Sequence, residues 1–517
     1  QENPTQELIC GSVLHLVQAL VNQGLETSLW LVTQGGTMPP QEVQHGPIWG
    51  LARVIGLEHP QLHCRTLDLD PTAKEEEAVD VLVKELLSPD PEDRIAYRQG
   101  VRHVPRLVRH ETTAAKIGIT ANGSYLVTGG LGALGLNVAR WLVDQGARNL
   151  VLVGRKEPEL WALEIIEQLT EKGATVLVMS GDISRREDAA KILEKIEAEL
   201  PPLRGVTHAA GVLDDGLLQN MSWDNFARVM APKVQGAWHL HELTEDKSLD
   251  FFVCFSSIAS ILGSPGQGNY AAANAFLDIL AHYRRSRGLP GLSINWGPWA
   301  EVGMAANSRI AEGVIPIEVE TGLKILGDLL GTSAAQVCVF PVNWSQLSHR
   351  FLPGDRPQPF FSALGVRLPE KSSLLQQEFL EKLRAVNSTR RYHLIITYLA
   401  ELVTKILHLP QLPSPQQGFF DLGMDSFTAV ELGNRLHSDL GISLSSTATF
   451  EFSNIEKLAI FLESSIGEER EKTQSNNKKT NQEQEKLEID EVDIETKLAN
   501  KLAQLEVFLS EEEWEDE

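Results

Sequence analysis

Three side chains that can bind or move protons lie close together in one short stretch of the sequence. Ser257, Tyr270 and Asn274 are separated by thirteen and four residues, with a glycine-rich loop between the first two. The apolar run Phe251–Phe255 predicts a buried parallel strand, and the alanine-rich run Ala271–His282 predicts a helix. A serine that ends a strand and a tyrosine that begins the next helix can face one cleft.

A tyrosine needs a partner to exchange protons near neutral pH, because the pKa of a free phenol is about 10. A nearby cation stabilises the phenolate and lowers that pKa. Lys233, in the segment Lys-Val-Gln-Gly-Ala, is the candidate cation. Taken singly, each residue has an ordinary interpretation as a surface lysine or a loop residue. Their combination downstream of a nucleotide-binding pattern favours a catalytic interpretation.

That pattern lies where a short strand is predicted to run into a helix. Its glycines are Gly129, Gly130, Gly132 and Gly135, and the last three form a G-x-G-x-x-G motif. Glycines in this context let the backbone approach a pyrophosphate, and the N-terminus of the helix favours the anion. The alternation of strands and helices over residues 123–345 predicts a doubly wound parallel sheet.

The residues after the next two predicted strands indicate which dinucleotide binds. Arg155 stands about where NAD-specific proteins place an acidic residue. Since a guanidinium matches a 2′-phosphate bidentately, NADPH is preferred to NADH. An arginine that only faces solvent at the end of a strand is the alternative. Asp182, after the predicted strand Thr175–Met179, is expected near the adenine.

With these features the sequence resembles the ketoreductase domain of modular type I polyketide synthases, an extended relative of the short-chain dehydrogenases. The matching segments follow the family's order: Thr128-Gly-Gly-Leu-Gly-Ala-Leu-Gly, His208-Ala-Ala-Gly, Lys233-Val-x-Gly-Ala, Phe255-Ser-Ser, Gly266-Gln-x-x-Tyr270 and Asn274-Ala-Phe-Leu-Asp278. The resemblance implies that Tyr270 protonates a β-keto oxygen as hydride arrives from the nicotinamide. Ser257 would hydrogen-bond that oxygen. Lys233 would lower the tyrosine pKa and relay a proton, and Asn274 would fix the relay.

Two further positions bear on the configuration of the product in that family. The triplet Leu213-Asp-Asp215 is associated with substrate entering in the B-type direction, which gives a D-configured β-hydroxyl. A-type members carry a tryptophan eight residues before the tyrosine, where this chain has Leu262. Asp215 and Leu262 therefore both predict a B-type reductase. Two acids in a solvated loop are the ordinary alternative.

Composition and pattern divide the chain into six parts. We predict a ketoreductase structural subdomain (1–115), a catalytic NADPH-binding domain (116–347), a linker (348–373), an acyl carrier protein (374–466), a disordered linker (467–486) and an acidic docking helix (487–517). The first part resembles the silent half of the ketoreductase and is expected to be N-terminally truncated, as a cut through a larger polypeptide. The predicted fold class is α/β, a Rossmann-like doubly wound parallel sheet of short-chain dehydrogenase type, followed by an all-α carrier bundle and a helical docking segment.

The carrier prediction depends on one serine. Ser426 follows Asp421-Leu-Gly-Met-Asp at the start of a predicted helix, where a serine can also be a simple N-cap. The motif resembles that of acyl carrier proteins, in which a phosphopantetheinyl transferase attaches 4′-phosphopantetheine to the serine. The thiol of that arm would carry the acyl chain as a thioester. Tethering raises the effective substrate concentration to about the millimolar range when linkers are short and flexible.

The C-terminal segment combines an apolar stripe with negative charge. Residues 487–517 hold twelve acidic residues and two lysines. Apolar residues recur on one helical face at Ile494, Leu498, Leu502, Leu505 and Leu509. So short a segment cannot bury a core of its own, so the stripe needs a partner. It resembles a docking domain that pairs with the N-terminal helices of the next synthase polypeptide; a marginal helix folded back on the carrier is the alternative.

The overall composition excludes several classes of partner. A net charge of −24 argues against nucleic acid, which requires clustered lysine and arginine. The sequence has no apolar run of membrane-spanning length and no signal peptide pattern, so we expect a soluble, cytoplasmic protein. Four scattered cysteines without a C-x-x-C pattern predict neither a disulfide framework nor a metal site: Cys10, Cys64, Cys254 and Cys338.

Together these features predict NADPH-dependent reduction of a carrier-bound β-ketoacyl thioester to the β-hydroxyacyl thioester. The intermediate would be held on phosphopantetheine and passed to the next polypeptide, within a larger homodimeric megasynthase. One alternative is a carrier and docking scaffold whose reductase fold is inactive, although no member of the predicted catalytic set is missing. The other is the same chemistry in a fatty-acid or glycolipid synthase.

Overall fold

The computed structural model describes most of the predicted ketoreductase and most of the predicted carrier protein. The described residues are 6–87, 90–111, 117–304, 313–344, 359–364, 379–383, 385–407, 409–424, 426–440, 442 and 452–466. The predicted disordered linker (467–486) and docking helix (487–517) lie outside the described residues. So do residues 348–358 and 365–373 of the linker predicted between reductase and carrier.

The N-terminal part of the chain forms a small α/β unit around a four-stranded sheet. Its strands follow one another in the order β1 (Trp30–Gln34), β2 (Arg65–Leu69), β3 (Arg94–Arg98) and β4 (Val101–His103). The first three are parallel, and β4 returns antiparallel to β3. The helices of this unit are α1 (Ser12–Asn22), α2 (Gly46–Glu58) and α3 (Glu75–Leu87).

The second unit is a seven-stranded parallel sheet with helices between its strands. Its strands are β5 (Ser124–Thr128), β6 (Asn149–Gly154), β7 (Thr175–Ser180), β8 (Leu203–His208), β9 (Phe251–Ser257), β10 (Leu292–Trp296) and β11 (Gln336–Val339). Their spatial order is β11-β10-β9-β8-β5-β6-β7. The order reverses between β5 and β8, and the crevice at such a switch point is where doubly wound sheets bind ligands. The predicted Rossmann-like fold is thus confirmed.

Eight helices are described in this unit. They are α4 (Ala133–Asp144), α5 (Leu160–Glu171), α6 (Arg186–Glu199), α7 (Trp223–Lys233), α8 (Gln235–Glu242), α9 (Ala259–Leu262), α10 (Gly268–Ser286) and α11 (Val319–Leu330). Most residues of the inner strands are buried, as expected when helices cover both faces of a parallel sheet, whereas the edge strand β7 is only partly buried. This arrangement leaves the loops at the carboxyl ends of the strands as the place for polar side chains.

The carrier region is helical, as predicted. The helices described there are α12 (Ser388–Leu407), α13 (Ser426–Leu440) and two further segments, over residues 379–383 and 455–466. Their apolar faces share one core that contains Leu399, Val403, Leu432, Leu436 and Leu458. Across the described ranges of the chain, no helix has both the length and the apolar character needed to span a membrane.

The two α/β units are joined by close packing of α2 against α10. Gly50 lies so near α10 that a Cβ atom there would stand 2.2 Å from the carbonyl oxygen of Ala271. A Cβ at Gly46 would stand 2.9 Å from the side chain of Ile279, eight residues after Ala271 in α10. Because α10 also carries Tyr270 and Asn274, the N-terminal unit directly supports two of the predicted catalytic residues.

One segment inside the predicted linker is bound to the reductase. Residues Pro359–Leu364 form a short 3₁₀ helix whose Phe360 and Phe361 are buried with Leu262 of α9. The carbonyl oxygen of Phe360 accepts a hydrogen bond of 2.9 Å from the N–H of Leu107. The guanidinium of Arg94 lies 4.0 Å from the centroid of the Phe360 ring, a cation–π contact. This part of the linker is therefore an anchor and not a free connector.

The packing of α2 on α10 gives a stability prediction with an internal control. We expect Gly50→Ala to lower the free energy of unfolding by about 1–3 kcal/mol, because the new methyl group overlaps the α10 backbone. Gly56→Ala, in the same helix but with nothing within 4 Å of the added carbon, should be neutral or raise it by up to about 1 kcal/mol. Urea denaturation followed by circular dichroism measures both. Equal midpoints for the two variants would contradict the tight contact.

Candidate active site

The glycine segment forms a backbone cradle between β5 and α4. Gly129 has a positive φ of 69°, a left-handed conformation that favours glycine. At Gly135 a Cβ atom would lie 2.3 Å from the carbonyl oxygen of Gly129, so only glycine lets α4 pack this closely on the loop. Gly130 is held by a 3.0 Å hydrogen bond from its N–H to Val153 of β6. Gly132 is the N-cap of α4, so the free N–H groups of that helix face this loop.

Arg155 and Asp182 follow the two strands next to the cradle. Gly154 and Ser180, the last residues of β6 and β7, are register partners, so both candidates lie at the same edge of the sheet. The side chain of Arg155 is exposed. The Asp182 carboxylate accepts hydrogen bonds from the N–H and the hydroxyl of Ser184, at 3.0 and 2.7 Å. Asp182 therefore also stabilises its own turn.

The structure brings the four predicted catalytic residues together at this edge. Ser257 ends β9, Lys233 ends α7, and α10 carries Tyr270 and Asn274. The ammonium group of Lys233 donates a 2.9 Å hydrogen bond to the carbonyl oxygen of Phe255 and lies 5.6 Å from the centroid of the Tyr270 ring. The Asn274 amide donates a 2.8 Å hydrogen bond to the carbonyl oxygen of Tyr270.

Burial dominates the protonation of this group. It raises the pKa of Tyr270, and interactions with the side chains of Ser257 and Asn274 oppose that shift. Burial also lowers the pKa of Lys233 to about 8. The effect of Lys233 on the pKa of Tyr270 stays a prediction, with the ammonium group 5.6 Å from the centroid of the Tyr270 ring.

The backbone around Ser257 is fixed by a buried polar network. The hydroxyl of Ser260 and the amide of Asn295 both donate to the carbonyl oxygen of Ser257, at 2.9 and 3.2 Å. The carboxylate of Asp278 accepts from the hydroxyl groups of Ser260 and Ser293, each at 2.6 Å. A buried carboxylate with several donors is costly to break up, so this network holds the serine rigidly.

The loop that carries Asp215 is fastened to the loop that precedes Tyr270. Asp215 accepts a 3.0 Å hydrogen bond from the side-chain amide of Gln267, and burial raises its pKa. The side-chain amide of Asn269 donates a 2.7 Å hydrogen bond to the carbonyl oxygen of Asp214. Sequence reasoning missed Gln267 and Asn269, although both stand within three residues of the tyrosine it singled out.

The second residue predicted to affect product configuration lies in a different environment. Leu262 ends α9 and is buried in the cluster with Phe360 and Phe361 of the anchored linker segment. It thus contacts the part of the chain that leads to the carrier. Leu262 and Asp215 therefore have different neighbours, because the hydrogen-bond partner of Asp215 is Gln267 in the loop before α10.

Ser426, the predicted phosphopantetheine attachment site, lies at the start of helix α13 of the carrier bundle. Ser426 is the first residue of α13, and Asp425 lies outside the described residues. Just before it, Gly423 has a positive φ of 85°, and its N–H bonds back to the carbonyl oxygen of Phe420 at 2.9 Å. Phe419 and Met424 are buried on either side of this turn. A tight, glycine-dependent turn packed on the core thus leads into the helix that Ser426 begins.

Comparison with protein families assigns three successive regions of the chain. A KR domain model matches residues 123–301, and a phosphopantetheine attachment site model matches residues 397–462. Residues 3–107 match the Rossmann fold domain of the polyketide synthase extender module SpnB. The matches follow the order of the two α/β units and the helical bundle described above.

Individual relatives agree with these matches. The chain is 36% identical over 487 residues to the polyketide synthase GfsA of Streptomyces halstedii, covering 90% of this chain and 6% of that protein. It is 35% identical over 485 residues to the spectinabilin polyketide synthase system protein NorB of Streptomyces orinoci, covering 88% of this chain and 22% of the relative. The chain therefore spans less than about a quarter of the length of these two relatives.

A solved structure shares both sequence and fold with this chain. It is a structure of A-type ketoreductases from a modular polyketide synthase, 36% identical, with a TM-score of 0.63 and coverage of 68% of this chain and 77% of that one. The sequence resemblance noted at the outset is thereby confirmed. The chain belongs to the modular type I polyketide synthases, of which it contains a ketoreductase domain and an acyl carrier domain.

Proposed function

We propose that this chain uses NADPH to reduce a β-ketoacyl thioester, carried on its own phosphopantetheine arm, to the β-hydroxyacyl thioester. The observation that carries the proposal is the convergence of Tyr270, Ser257 and Lys233 beside the glycine cradle at one edge of the sheet. A scaffold with an inactive reductase fold would have no need to keep the buried Lys233 against the half-buried Tyr270. The same chemistry in a fatty-acid or glycolipid synthase is the second candidate, because the identity of the acyl chain is set elsewhere.

The residues at the cradle fit a dinucleotide. Gly129 and Gly135 allow close backbone packing around this loop, and the N-terminus of α4 beside it favours the anionic pyrophosphate. Arg155 is exposed at the end of β6, where its guanidinium can pair with a 2′-phosphate, and this supports NADPH over NADH. Asp182 follows β7 at the same edge and is proposed to lie near the adenine.

The chemistry divides between the cofactor and the side chains. When bound, the nicotinamide supplies a hydride for the β-carbon of the keto group. The hydroxyl of Tyr270 donates its proton to the keto oxygen, and the hydroxyl of Ser257 donates a hydrogen bond to the same oxygen. The Lys233 ammonium lies beside the tyrosine ring, from where it can return a proton to the phenol, and Asn274 fixes that relay. General acid help of this kind accelerates a reaction by about 10²–10⁴-fold.

We further propose that the substrate enters in the B-type direction and gives a D-configured hydroxyl. The solved relative above is A-type. This chain nevertheless carries the Leu213-Asp-Asp215 triplet, and Asp215 is bonded to Gln267 beside the entrance to the catalytic group. Leu262 takes the place of the A-type tryptophan and is buried against Phe360.

We also propose that Ser426 holds the acyl chain and that residues 487–517 help to pass it to the next protein. Ser426 would receive 4′-phosphopantetheine from a phosphopantetheinyl transferase, in line with the phosphopantetheine attachment site matched over residues 397–462. The apolar stripe and the twelve acidic residues of 487–517 support docking to basic N-terminal helices of a following synthase polypeptide. A larger homodimeric synthase is the expected setting of both.

The role of the tyrosine is tested by its hydroxyl alone. Tyr270→Phe should lower the reduction rate by about 10²–10⁴-fold, because the proton donor is lost while the ring remains. Modification of Ser426 should be unchanged. Intact-protein mass spectrometry after loading a β-ketoacyl-phosphopantetheine measures both, since reduction adds two hydrogens. Tyr283→Phe, which removes a hydroxyl bonded to Arg287 on the same helix, should reduce normally. Retained turnover in Tyr270→Phe would refute the assigned acid.

The choice of cofactor is tested at the end of β6. Arg155→Ala should raise the KM for NADPH by about 10- to 100-fold, the worth of one or two charge-assisted hydrogen bonds, and leave the KM for NADH nearly unchanged. Arg140→Ala, which loses only a contact to Gln168, serves as the matched control. Steady-state kinetics with both cofactors decides the question. Equal effects on the two KM values would mean that no 2′-phosphate is bound there.

The pKa of Lys233 predicts a pH dependence. A lysine loses its charge as pH rises through its pKa, and burial brings that pKa down to about 8. The reduction rate should therefore fall as pH rises above about 8, when the ammonium becomes neutral. Lys233→Arg retains a cation at that pH, so any activity that it keeps should lack the fall. A wild-type rate that stays flat from pH 7 to 9.5, roughly the range over which such a lysine titrates, would contradict the role of the ammonium.

A further inference from the structure

A carboxylate from the N-terminal unit reaches both loops at the entrance to the catalytic group. Glu58, the last residue of α2, is buried with 3% of its surface exposed. One of its oxygens accepts a 2.7 Å hydrogen bond from the N–H of Leu218, and the other accepts a 2.6 Å hydrogen bond from the N–H of Gly266. Leu218 follows the Asp215 loop, and Gly266 lies four residues before Tyr270.

The two loops are also bonded to each other next to this carboxylate. The N–H of Gly216 donates a 2.8 Å hydrogen bond to the carbonyl oxygen of Gly266. The residues next to this pair, Asp215 and Gln267, are joined by a hydrogen bond between their side chains. Glu58 therefore adds two hydrogen bonds to a short series that joins the two loops. The other bonds of the series set the distance between Asp215 and α10, the helix of Tyr270.

A second side chain of the N-terminal unit holds the same residue from the other side. The amide of Gln18, in α1, donates 2.8 Å hydrogen bonds to the carbonyl oxygens of Leu218 and Met221. Both backbone polar groups of Leu218 are thus bound by side chains of the other unit. Because Leu218 is buried, this pairing satisfies its backbone groups and ties the position of the loop to the N-terminal unit.

The position of Glu58 is costly for a charged group. Burial raises its pKa to about 7, and the N–H groups of Gly266 and Leu218 oppose that shift. A carboxylate with two N–H donors is stabilised, whereas one without them would be a buried, unpaired charge. The charge and the closed arrangement of the loops therefore depend on each other.

We propose that Glu58 is a positioning residue that holds the Asp215 loop in register with the loop before Tyr270 and thereby sets which face of the keto group is reduced. The inference rests on the proposed reductase function. It assigns the N-terminal unit a part in stereocontrol in addition to its support of α10.

The test compares Glu58→Ala and Glu58→Gln with Glu85→Ala in the full chain. Glu85 is a matched control because it is a buried carboxylate of the same unit, and its partners Tyr97 and Arg102 lie within that unit. Hydrogen exchange read by mass spectrometry, at a pH above 7, follows peptides that contain Leu218 and Gly266. Chiral chromatography follows the hydroxyl formed from the N-acetylcysteamine thioester of a 3-oxoacyl chain.

In Glu58→Ala we expect exchange in both peptides to rise by about 10- to 100-fold, the worth of a hydrogen bond to a charged acceptor. The excess of D over L product should fall at the same time. Glu58→Gln keeps one acceptor, so it should open one loop only and restore part of the excess. Glu85→Ala should change neither readout, whatever it does to the melting temperature.

Three results would overturn the inference. These are unchanged exchange in Glu58→Ala, raised exchange with an unchanged product ratio, and identical behaviour of Glu58→Ala and Glu85→Ala. Failure of the wild-type chain to reduce the thioester would instead refute the proposed reductase function. The exchange measurement needs no turnover, so it still decides whether Glu58 holds the two loops.

Discussion

The contact between α2 and α10 is the constraint on which the rest of the reductase depends. It requires glycine at Gly50, because the two backbones approach more closely than any side chain allows. It fixes α10, and with that helix the positions of Tyr270 and Asn274. It also brings the end of α2, with Glu58, to the loops at the entrance of the catalytic group. One steric requirement thus positions residues on both sides of the proposed cleft.

Around that contact, buried charges are arranged so that each has partners. Asp278 accepts from Ser260, Ser293 and Asn295, and Lys233 donates to the carbonyl oxygen of Phe255. A buried charge without such partners would cost several kcal/mol. Because these groups belong to different strands and helices, their hydrogen bonds link β9, β10, α7 and α10 into one rigid frame. Such rigidity suits a site that must hold a carbonyl group against a proton donor.

The anchored segment Pro359–Leu364 changes how the carrier relates to the reductase. The linker to the carrier is fixed on the reductase as far as Leu364, which packs against Phe360 and Phe361. Fourteen residues then separate Leu364 from Phe379, the first described residue of the carrier region. Effective concentration in a linked system depends on linker length, so we expect the anchor to affect how often the proposed attachment serine meets its own reductase. The same anchor packs on Leu262 and so connects the carrier linker to α9.

The amino-acid sequence was enough to predict the class of fold and most of the proposed catalytic set. Periodicity predicted the strands and helices, and local motifs singled out the glycines, Ser257, Tyr270 and Ser426, because each belongs to a short segment whose spacing reflects local geometry. Only the tertiary structure brought in Glu58, Gln18 and the Phe360 anchor. The hydrogen bonds of Glu58 and Gln18 join residues 160 to 208 positions apart, a separation at which spacing gives no signal. The direction in which the pKa of Tyr270 is shifted also depends on the tertiary structure, since burial by residues distant in sequence raises it.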